Sequence, residues 1–309
     1  MCLVNCPFGA ISDKSQIFQL IQAIKRGDKV VAAVAPAFVS QFGEKVTSSQ
    51  MREAMRQVGF HKVIEVAVGA DMCTAEEAED FLKKVPEQQP FMATSCCPSW
   101  SVMAKKLFPQ FKDYISMAMT PMVLTARLYK KDHPDVRIVF IGPCTAKKLE
   151  ASRRTIRSDV DFVLTFEEMQ GIFDAKGIVP SEMPYDPDDE FSTGTSLGRG
   201  FAVTGGVADA VKKAIAEIDP EREVLVEHAD GLRECRKMLM MAKAGKYNGY
   251  LLEGMGCPGG CIGGAGTIAD PMRTAVQLNK YVAAAPFKDP EQSAFITNIH
   301  LLKDDPNFE

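Results

Sequence analysis

The chain has 309 residues, of which 46% are hydrophobic and 25% charged, a composition typical of globular proteins rather than disordered, collagen-like or coiled-coil chains. Its 36 basic and 40 acidic side chains give a net charge of −4, which argues against a nucleic acid as the main partner. The longest apolar stretch, 30–39, is interrupted by Pro36 and is about half the roughly 20 residues that a membrane span needs. No secretory signal opens the sequence, so a soluble, cytoplasmic protein is expected.

Short apolar, β-branched runs alternate with helical patterns along the chain, which predicts an α/β fold with buried, largely parallel strands. The predicted strands are 29–35, 62–68, 91–93, 136–141, 160–164, 223–227 and 250–252. Two capping boxes and two glycines indicate where helices begin and end. They are Thr74 with Glu77, Thr165 with Glu168, Gly59 and Gly177. The turn-rich segment 180–200 is predicted to be a long connection that divides two lobes.

Nine cysteines are spread along the chain without a C-x2-C pair, and the four histidines lie away from them. This spacing argues against a zinc site, whereas thiolates from distant segments suit an iron-sulfur cluster. Cys73 and Cys235 stand alone in helical patterns, and they are predicted to be small buried residues, as most free cysteines are.

Five other cysteines follow predicted strands, in the segments TSCCPSW (94–100), GPCTAKKLE (142–150) and LEGMGCPGGCIGG (252–264). Ligands of open α/β sheets bind beyond the carboxyl ends of the strands, so these segments are expected to converge. Seven glycines between residues 254 and 266 would let the backbone pass close to a bulky inorganic ligand.

These three segments closely resemble, in order and spacing, the signature motifs of the catalytic domain of iron-iron (FeFe) hydrogenases. Weaker matches occur at 35–37, 69–77, 120–121 and 201–207, so that the resemblance spans about residues 28–285. It implies a two-lobed α/β fold, with mostly parallel sheets flanked by helices and a cluster in the cleft between the lobes.

The resemblance also implies the cofactor of that family, the H-cluster. This is a 4Fe-4S cubane joined to a two-iron unit that bears CO, CN and azadithiolate ligands. The matching cubane ligands are Cys97, Cys144, Cys257 and Cys261, with Cys261 as the bridge to the two-iron unit. Further residues match the surroundings of the two-iron unit. Lys147 matches a lysine that hydrogen-bonds a cyanide, Met255 matches a methionine packed on the irons, and Pro36, Ala37 and Pro121 complete the cofactor-binding set.

Proton transfer is implied for Cys96, which matches the proton-delivering thiol of the family, and for Glu77, Ser116 and Asp80, which match an acid-serine-acid relay beyond it. A thiol suits this role because its ordinary pKa lies near neutrality. Glu77 has an alternative role, because as the fourth residue of the box begun by Thr74 it could serve only as a helix cap.

Two departures from the family pattern are visible. Gly142 stands where the second motif usually has methionine, which is expected to leave room beside the two-iron unit and indicates a divergent branch. At the amino terminus, Cys2-x3-Cys6-Pro7 resembles the end of a ferredoxin motif. Residues 1–14 are therefore interpreted as the remnant of a 4Fe-4S module that precedes an H-cluster domain at 15–309.

The implied function is a hydrogenase that interconverts protons, electrons and H2. Its expected partners are ferredoxin-type carriers or accessory clusters missing from this chain, and the dedicated maturation enzymes. Two alternatives stay open: a non-enzymatic iron-sulfur assembly or scaffold protein related to hydrogenases, and a hydrogen-sensing hydrogenase. Cys96, Lys147 and Met255 have no evident use in a scaffold, and a sensor would be expected to carry a signalling domain.

Overall fold

The structure is a computed structural model that describes residues 7, 8, 10–186 and 194–293. In this part of the chain the strands are β1 (Val30–Val34), β2 (Lys62–Glu65), β3 (Phe91–Ala93), β4 (Arg137–Gly142), β5 (Phe162–Thr165), β6 (Leu225–Asp230) and β7 (Tyr250–Met255). The helices are α1 (Ile17–Lys25), α2 (Ser48–Val58), α3 (Ala67–Lys84), α4 (Pro98–Leu107), α5 (Pro121–Asp132), α6 (Ala146–Ala151), α7 (Phe166–Lys176), α8 (Ser196–Gly200), α9 (Gly206–Ile218), α10 (Leu232–Lys243) and α11 (Pro271–Ala283). Short 3-10 turns lie at Pro36–Phe38, Pro109–Tyr114, Pro180–Glu182, Cys261–Gly263 and Pro290–Gln292.

The strands form two sheets, one in the order β2-β1-β4-β5 and the other in the order β3-β7-β6. All the pairings between these strands are parallel. The central strand β1 is an uninterrupted buried VVAAV run, as expected of a parallel strand that is covered on both faces. The predicted α/β fold with parallel sheets flanked by helices is thus confirmed.

Helix termini follow local sequence signals at three of the predicted places. Thr165 caps α7, where its hydroxyl accepts the N–H of Glu168 and the Glu168 side chain accepts the N–H of Thr165. Gly59 and Gly177 end α2 and α7 in the left-handed conformation, which glycine adopts without steric cost. These three predictions are confirmed.

The predicted capping box at Thr74 and Glu77 is wrong. Both residues lie in the interior of α3, which begins at Ala67. The Thr74 hydroxyl donates to the backbone oxygen of Ala70 at 3.0 Å, a bond that a threonine inside a helix can form. The predicted strand 62–68 was accordingly too long, because an apolar run that enters a buried helix resembles a buried strand.

The two sheets do not follow one another along the chain. Strand β3 precedes β4 and β5 in sequence but pairs with β7, with Phe91 opposite Tyr250 and Ala93 opposite Leu252. The predicted division near residues 180–200 stays a prediction, and residues 187–193 of that segment lie outside the described part. None of the described helices is long and apolar enough to cross a membrane.

Candidate cofactor site

Residues that follow strands of both sheets surround one apolar hollow. The sequence-predicted residues that line it are Pro36, Ala37, Cys96, Cys97, Pro121, Cys144, Lys147, Met255 and Cys261. They converge because the carboxyl ends of β1, β3, β4 and β7 lead into it, where ligands of parallel sheets bind. The structure therefore brings together residues that are more than 200 positions apart in sequence.

Three of the four cysteines that the sequence assigned to a cluster, Cys97, Cys144 and Cys261, line this hollow, and Cys257 lies near them. The N–H of Gly256 donates to Cys97 Sγ at 3.3 Å, which joins the third cysteine segment to the first. Burial raises the pKa of Cys261 well above its ordinary value, and the neighbouring Cys97, Cys144 and Cys257 raise it further. Burial, followed by Cys97, also raises the pKa of Cys144 to about 12. All four of these cysteines are partly exposed.

The donor set fits an iron-sulfur cluster. The described residues contain no group of three or more His, Cys, Asp or Glu side chains that could hold a single metal ion. A 4Fe-4S cubane is much wider than one ion, so its four thiolates stand farther apart than the ligands of zinc. Three cysteines that line an apolar hollow, with Cys257 near them, therefore suit a cubane, whose positive irons would stabilise thiolates that burial alone disfavours.

The turn between Cys257 and Cys261 depends on glycine. Gly259 and Gly260 have φ angles of 76° and 90°, in the region that side chains other than glycine rarely adopt. A Cβ at Gly260 would lie 2.7 Å from the backbone nitrogen of Thr204. The turn packs against this neighbouring backbone, and a side chain at position 260 would push the two segments apart.

Cys96 lies beside a buried ion pair. Lys147 Nζ donates to the backbone oxygen of Cys96 at 3.3 Å and pairs with Glu150 Oε2 at 2.8 Å. Burial by itself lowers the pKa of Lys147, but Glu150 and the thiols of Cys144 and Cys96 outweigh it, so that the pKa is raised. Lys147 therefore keeps its positive charge at the wall of the hollow. Glu150 was not identified from the sequence, although its position three residues after Lys147 places both on one helix face.

Glu77 is fully buried next to the first cysteine segment. Its Oε1 accepts the N–H of Ser95 at 3.1 Å, whereas Oε2 has no hydrogen-bond partner. Burial raises the pKa of Glu77 to about 8, against a smaller lowering by Ser95 and the Ser116 side chain. Burial and the proximity of Glu77 likewise raise the pKa of Cys96 well above its ordinary value. The structure thus places Cys96, Glu77 and Ser116 close together.

The outer member of the predicted relay has a different neighbour. Asp80 Oδ2 accepts from Lys84 Nζ at 2.7 Å, one helical turn along α3. Ser116 Oγ accepts the N–H of Ala118 at 3.1 Å. The two side chains are thus engaged locally, and the final step from Ser116 to Asp80 stays a prediction.

Gly142 is packed against an aromatic ring. A Cβ at this position would lie 2.5 Å from the ring of Phe140 and 3.1 Å from the Cβ of Ala35. Phe140 is buried and lines the hollow. The Phe140 ring, two residues earlier on the same face of β4, thus occupies the space that a Cβ at Gly142 would need. The expectation that Gly142 leaves room beside a two-iron unit stays a prediction.

Sequence reasoning also missed a buried carboxyl within the third cysteine segment. Glu253 on β7 accepts the N–H groups of Gly205 and Ala208 at 2.8 and 2.7 Å. Burial raises its pKa to about 7 despite these bonds. An acidic residue in an otherwise apolar strand was the available signal. Glu253 holds the start of α9 against the second sheet.

Cys73 and Cys235, predicted to be buried small residues, are both completely buried, which confirms the prediction. Cys235 Sγ contacts the backbone oxygens of Ala229 and Met255 at 3.3 Å. Cys2 and Cys6 lie outside the described residues, so the interpretation of 1–14 as a ferredoxin-like remnant stays a prediction.

Comparison with known proteins places the chain in a family. The family model "Iron only hydrogenase large subunit, C-terminal domain" matches residues 28–265. Similar proteins include the NADP-reducing hydrogenase subunit HndD of Solidesulfovibrio fructosivorans, which is 29% identical over 86% of this chain and 54% of its own length. Iron hydrogenase 1 of Clostridium pasteurianum is 28% identical over 84% of this chain and 54% of its own length. The chain thus spans about half the length of these relatives.

Proteins with another role match at nearly the same level. Cytosolic iron-sulfur assembly component 3 of Rattus norvegicus is 27% identical over 78% of this chain and 60% of its own length. Among solved structures, an apo [FeFe]-hydrogenase HydA1 variant from Chlamydomonas reinhardtii matches with a TM-score of 0.78 and 23% identity, covering 95% of both chains. That likeness concerns the fold. The family match covers most of the chain and all four of the proposed cysteine ligands, so the chain belongs to the iron-only hydrogenase family, as its large-subunit carboxy-terminal domain. This family implies iron-sulfur cluster binding.

Proposed function

We propose that this chain is the catalytic domain of an FeFe hydrogenase that interconverts protons, electrons and H2. The observation that carries the proposal is a fifth thiol, that of Cys96, beside the four proposed cluster ligands. Cys96 adjoins the proposed ligand Cys97, and its backbone oxygen accepts a hydrogen bond from Lys147. Burial, and after it the nearby Glu77, raises the pKa of Cys96. A thiol next to a titratable buried carboxyl can pass a proton, whereas a protein that only carries a cluster has no use for one.

The proposed cofactor is an H-cluster. Cys97, Cys144, Cys257 and Cys261 would hold the 4Fe-4S cubane, and Cys261 would also bridge to a two-iron unit with CO, CN and azadithiolate ligands. When bound, the two-iron unit would supply the hydrogen-splitting chemistry and the cubane would carry electrons. Lys147 would bind the anionic cyanide end as a compact cation.

The apolar wall would keep water from the reacting centre. Pro36, Ala37, Pro121 and Met255 line the same hollow as the proposed ligands. A dry site strengthens the electrostatic contacts made inside it, so the charge of Lys147 would act there without much screening.

Cys96 would exchange protons between the hollow and Glu77. The raised pKa of Glu77, about 8, allows this carboxyl to accept and release a proton near neutral pH. Ser116 lies next along the proposed path, and Asp80 at the half-buried end of the same helix face would be the exit. Electrons would come from a ferredoxin-type carrier or from accessory clusters, and maturation enzymes would deliver the two-iron unit in the cytoplasm.

The second candidate is an iron-sulfur assembly protein. It is favoured by the similarity to cytosolic iron-sulfur assembly component 3, whose 27% identity nearly equals the 28–29% of the hydrogenases. Both candidates require cysteine ligands at the hollow. They differ in whether a two-iron unit with CO and CN ligands binds beside the cubane.

The deciding experiment is infrared spectroscopy of anaerobically purified protein, made with and without the maturation enzymes. A hydrogenase is expected to show bands of iron-bound CO and CN, together with H2 evolution from a reduced dye, only after maturation. Iron bound in both preparations without these bands would favour the assembly protein. A preparation in which Lys147→Met reduces the bands but keeps the cubane iron would add support for the proposed cyanide contact.

A further inference from the structure

Asp230 contacts the turn that joins two of the proposed cubane ligands. Its Oδ2 accepts the N–H of Gly259 at 2.9 Å and the hydroxyl of Thr204 at 3.1 Å. Gly259 is two residues from both Cys257 and Cys261. Asp230 ends β6 and lies opposite Met255 in the parallel pairing with β7. The carboxylate thus lies at the edge of the sheet from which the third cysteine segment leaves.

The contact fixes the Gly259 peptide from both sides. While its N–H donates to Asp230, its carbonyl accepts the N–H of Thr204 at 3.4 Å. Gly259 and Gly260 are in the left-handed region, so the turn has little intrinsic preference for this shape without such partners. Asp230 and Thr204 together determine where the turn presents its N–H groups.

The charge of Asp230 is not neutralised by an ion pair among the described residues. Its hydrogen-bond donors are the amide of Gly259 and the hydroxyl of Thr204. Lys237, which lines a separate surface cavity together with Asp230, pairs with Glu234 at 2.7 Å. Asp230 is only half-buried, so solvent screens part of its charge. The remaining negative field acts on whatever the cysteine turn holds.

We propose that Asp230 lowers the reduction potential of the 4Fe-4S cubane, as a positioning residue that acts through the cysteine turn. The inference rests on the proposed cubane ligands. Two effects of the Asp230 carboxylate would both lower the reduction potential. A nearby negative charge disfavours the added electron, and the carboxylate engages an N–H group that would otherwise be free to donate to cluster sulfur and favour reduction. A low potential suits a cluster that gives electrons to protons.

The test is a redox titration of the reconstituted cubane with dithionite as reductant, followed by its electron paramagnetic resonance signal, in protein without the two-iron unit. Asp230→Asn keeps an acceptor oxygen but removes the charge. It is expected to raise the midpoint potential, with the reduced-to-oxidised ratio at a fixed potential increasing about three- to tenfold; tenfold corresponds to 59 mV for one electron. Asp230→Glu, which keeps the charge, is expected to stay near the parent.

Two further variants separate this role from general effects. Glu227→Gln removes a charge from the same strand, three residues or about 10 Å farther from the turn, and should shift the potential less than Asp230→Asn. Thr204→Val removes a donor that partly offsets the carboxylate, so it should shift the potential downward. A general loosening of the turn would move the potential of Thr204→Val and Asp230→Asn in the same direction.

The proposal is overturned if Asp230→Asn, with parent iron content, has the parent potential, or if Glu227→Gln shifts it equally. If Asp230→Asn loses iron, its potential cannot be compared with that of the parent, and Thr204→Val becomes the deciding variant. A potential of Thr204→Val that equals or exceeds the parent value overturns the proposal. Failure of the parent to form a 4Fe-4S cluster would instead contradict the proposed function, because all these measurements presuppose the cubane.

Discussion

Helix α3 carries two buried carboxyls with contrasting surroundings, Asp71 in its first turns and Glu77 near its middle. Both oxygens of Asp71 are hydrogen-bonded, Oδ2 to the N–H and Oδ1 to the hydroxyl of Thr195. Glu77 accepts the N–H of Ser95 on one oxygen, and the Ser116 side chain lies close enough to lower the pKa of Glu77. Burial raises the pKa of Asp71 to about 7 and that of Glu77 to about 8.

The partnered region continues beyond Asp71. Glu65, at the end of β2, accepts two bonds from the Arg199 guanidinium at 2.8 and 3.3 Å and one from the Tyr281 hydroxyl at 2.6 Å. This network joins β2, α8 and α11 and holds the segment that leads to Phe201 at the wall of the hollow. A fully satisfied buried network specifies one arrangement.

The Asp71 and Glu77 ends of α3 suggest different roles for a buried carboxyl, one structural and one in proton transfer. At the Asp71 end, the buried polar atoms are hydrogen-bonded to one another, which makes this region rigid. At the Glu77 end, the carboxyl has fewer hydrogen bonds and lies beside the thiol of Cys96 and the hydroxyl of Ser116. Glu77 is therefore the better candidate for moving a proton.

The largest effect that would test this contrast is expected from Cys96→Ala. Turnover should fall about 10²- to 10⁴-fold, the usual contribution of a positioned proton donor, while the iron content stays at the parent level. Cys97→Ala should lose the cluster itself, because Cys97, the residue before α4, is the proposed cubane ligand of this segment. Iron quantification and dye-linked H2 oxidation measure both.

Cys73→Ala is the matched control for Cys96→Ala, since it removes a thiol buried on α3 between the two carboxyls. It should keep parent turnover. A parent rate in Cys96→Ala would show that protons take another route, and loss of its iron would show that the roles of Cys96 and Cys97 are interchanged.

Arg199→Met tests the partnered region. It leaves the Glu65 carboxylate buried without its cation, which typically costs about 3–5 kcal/mol of the free energy of unfolding. Urea denaturation should show this loss. Lys83→Met, which breaks the exposed pair with Glu79, should cost about 1 kcal/mol or less. Equal losses in the two variants would mean that the network contributes no more than a surface pair.

The pH dependence of stability tests the Glu77 end. A carboxyl with a folded-state pKa of about 8 and an unfolded value near 4.3 favours folding below the unfolded pKa. That contribution is lost as the pH rises through the folded pKa, because the unfolded state ionises first. The parent should therefore lose stability between about pH 4.5 and pH 8.

Glu77→Gln should flatten this decline, since glutamine keeps an acceptor for Ser95 and does not ionise. Each pKa unit of the shift corresponds to about 1.4 kcal/mol. The measurement is the free energy of unfolding at several pH values for both proteins. Asp71 and Glu253, whose pKa values are also raised, are present in both and add the same pH dependence to each. Parallel curves for parent and variant would contradict the raised pKa of Glu77.

A smaller effect is expected from Gly142→Ala, which tests the packing on the same side of the hollow. The added Cβ would lie 2.5 Å from the Phe140 ring, and overpacking of this kind costs about 1–3 kcal/mol. Phe140→Leu should relieve part of that cost, so the double variant should be more stable than the sum of the single losses predicts. Additive losses would show that the ring is not the obstacle.

Much of this architecture could be predicted from local patterns. The apolar run of β1 indicated a buried parallel strand, and Thr165 with Gly177 marked both ends of α7. The α/β fold and the convergence of the cysteine segments followed from strand-end placement, because the carboxyl ends of parallel strands share one edge. These features depend on residues close in sequence or on a general rule of sheet geometry.

Other features required the folded chain. Local periodicity and turn residues were enough to indicate which segments are strands and which carry cysteines at strand ends. Only tertiary packing decided that Glu77 lies inside a helix with an unpartnered oxygen, that Phe140 fills the space at Gly142, and that Asp230 holds the turn at Gly259. Each of these depends on a neighbour or backbone conformation that no local pattern specifies, because burial, orphaned atoms and close approaches exist only once distant segments are packed together.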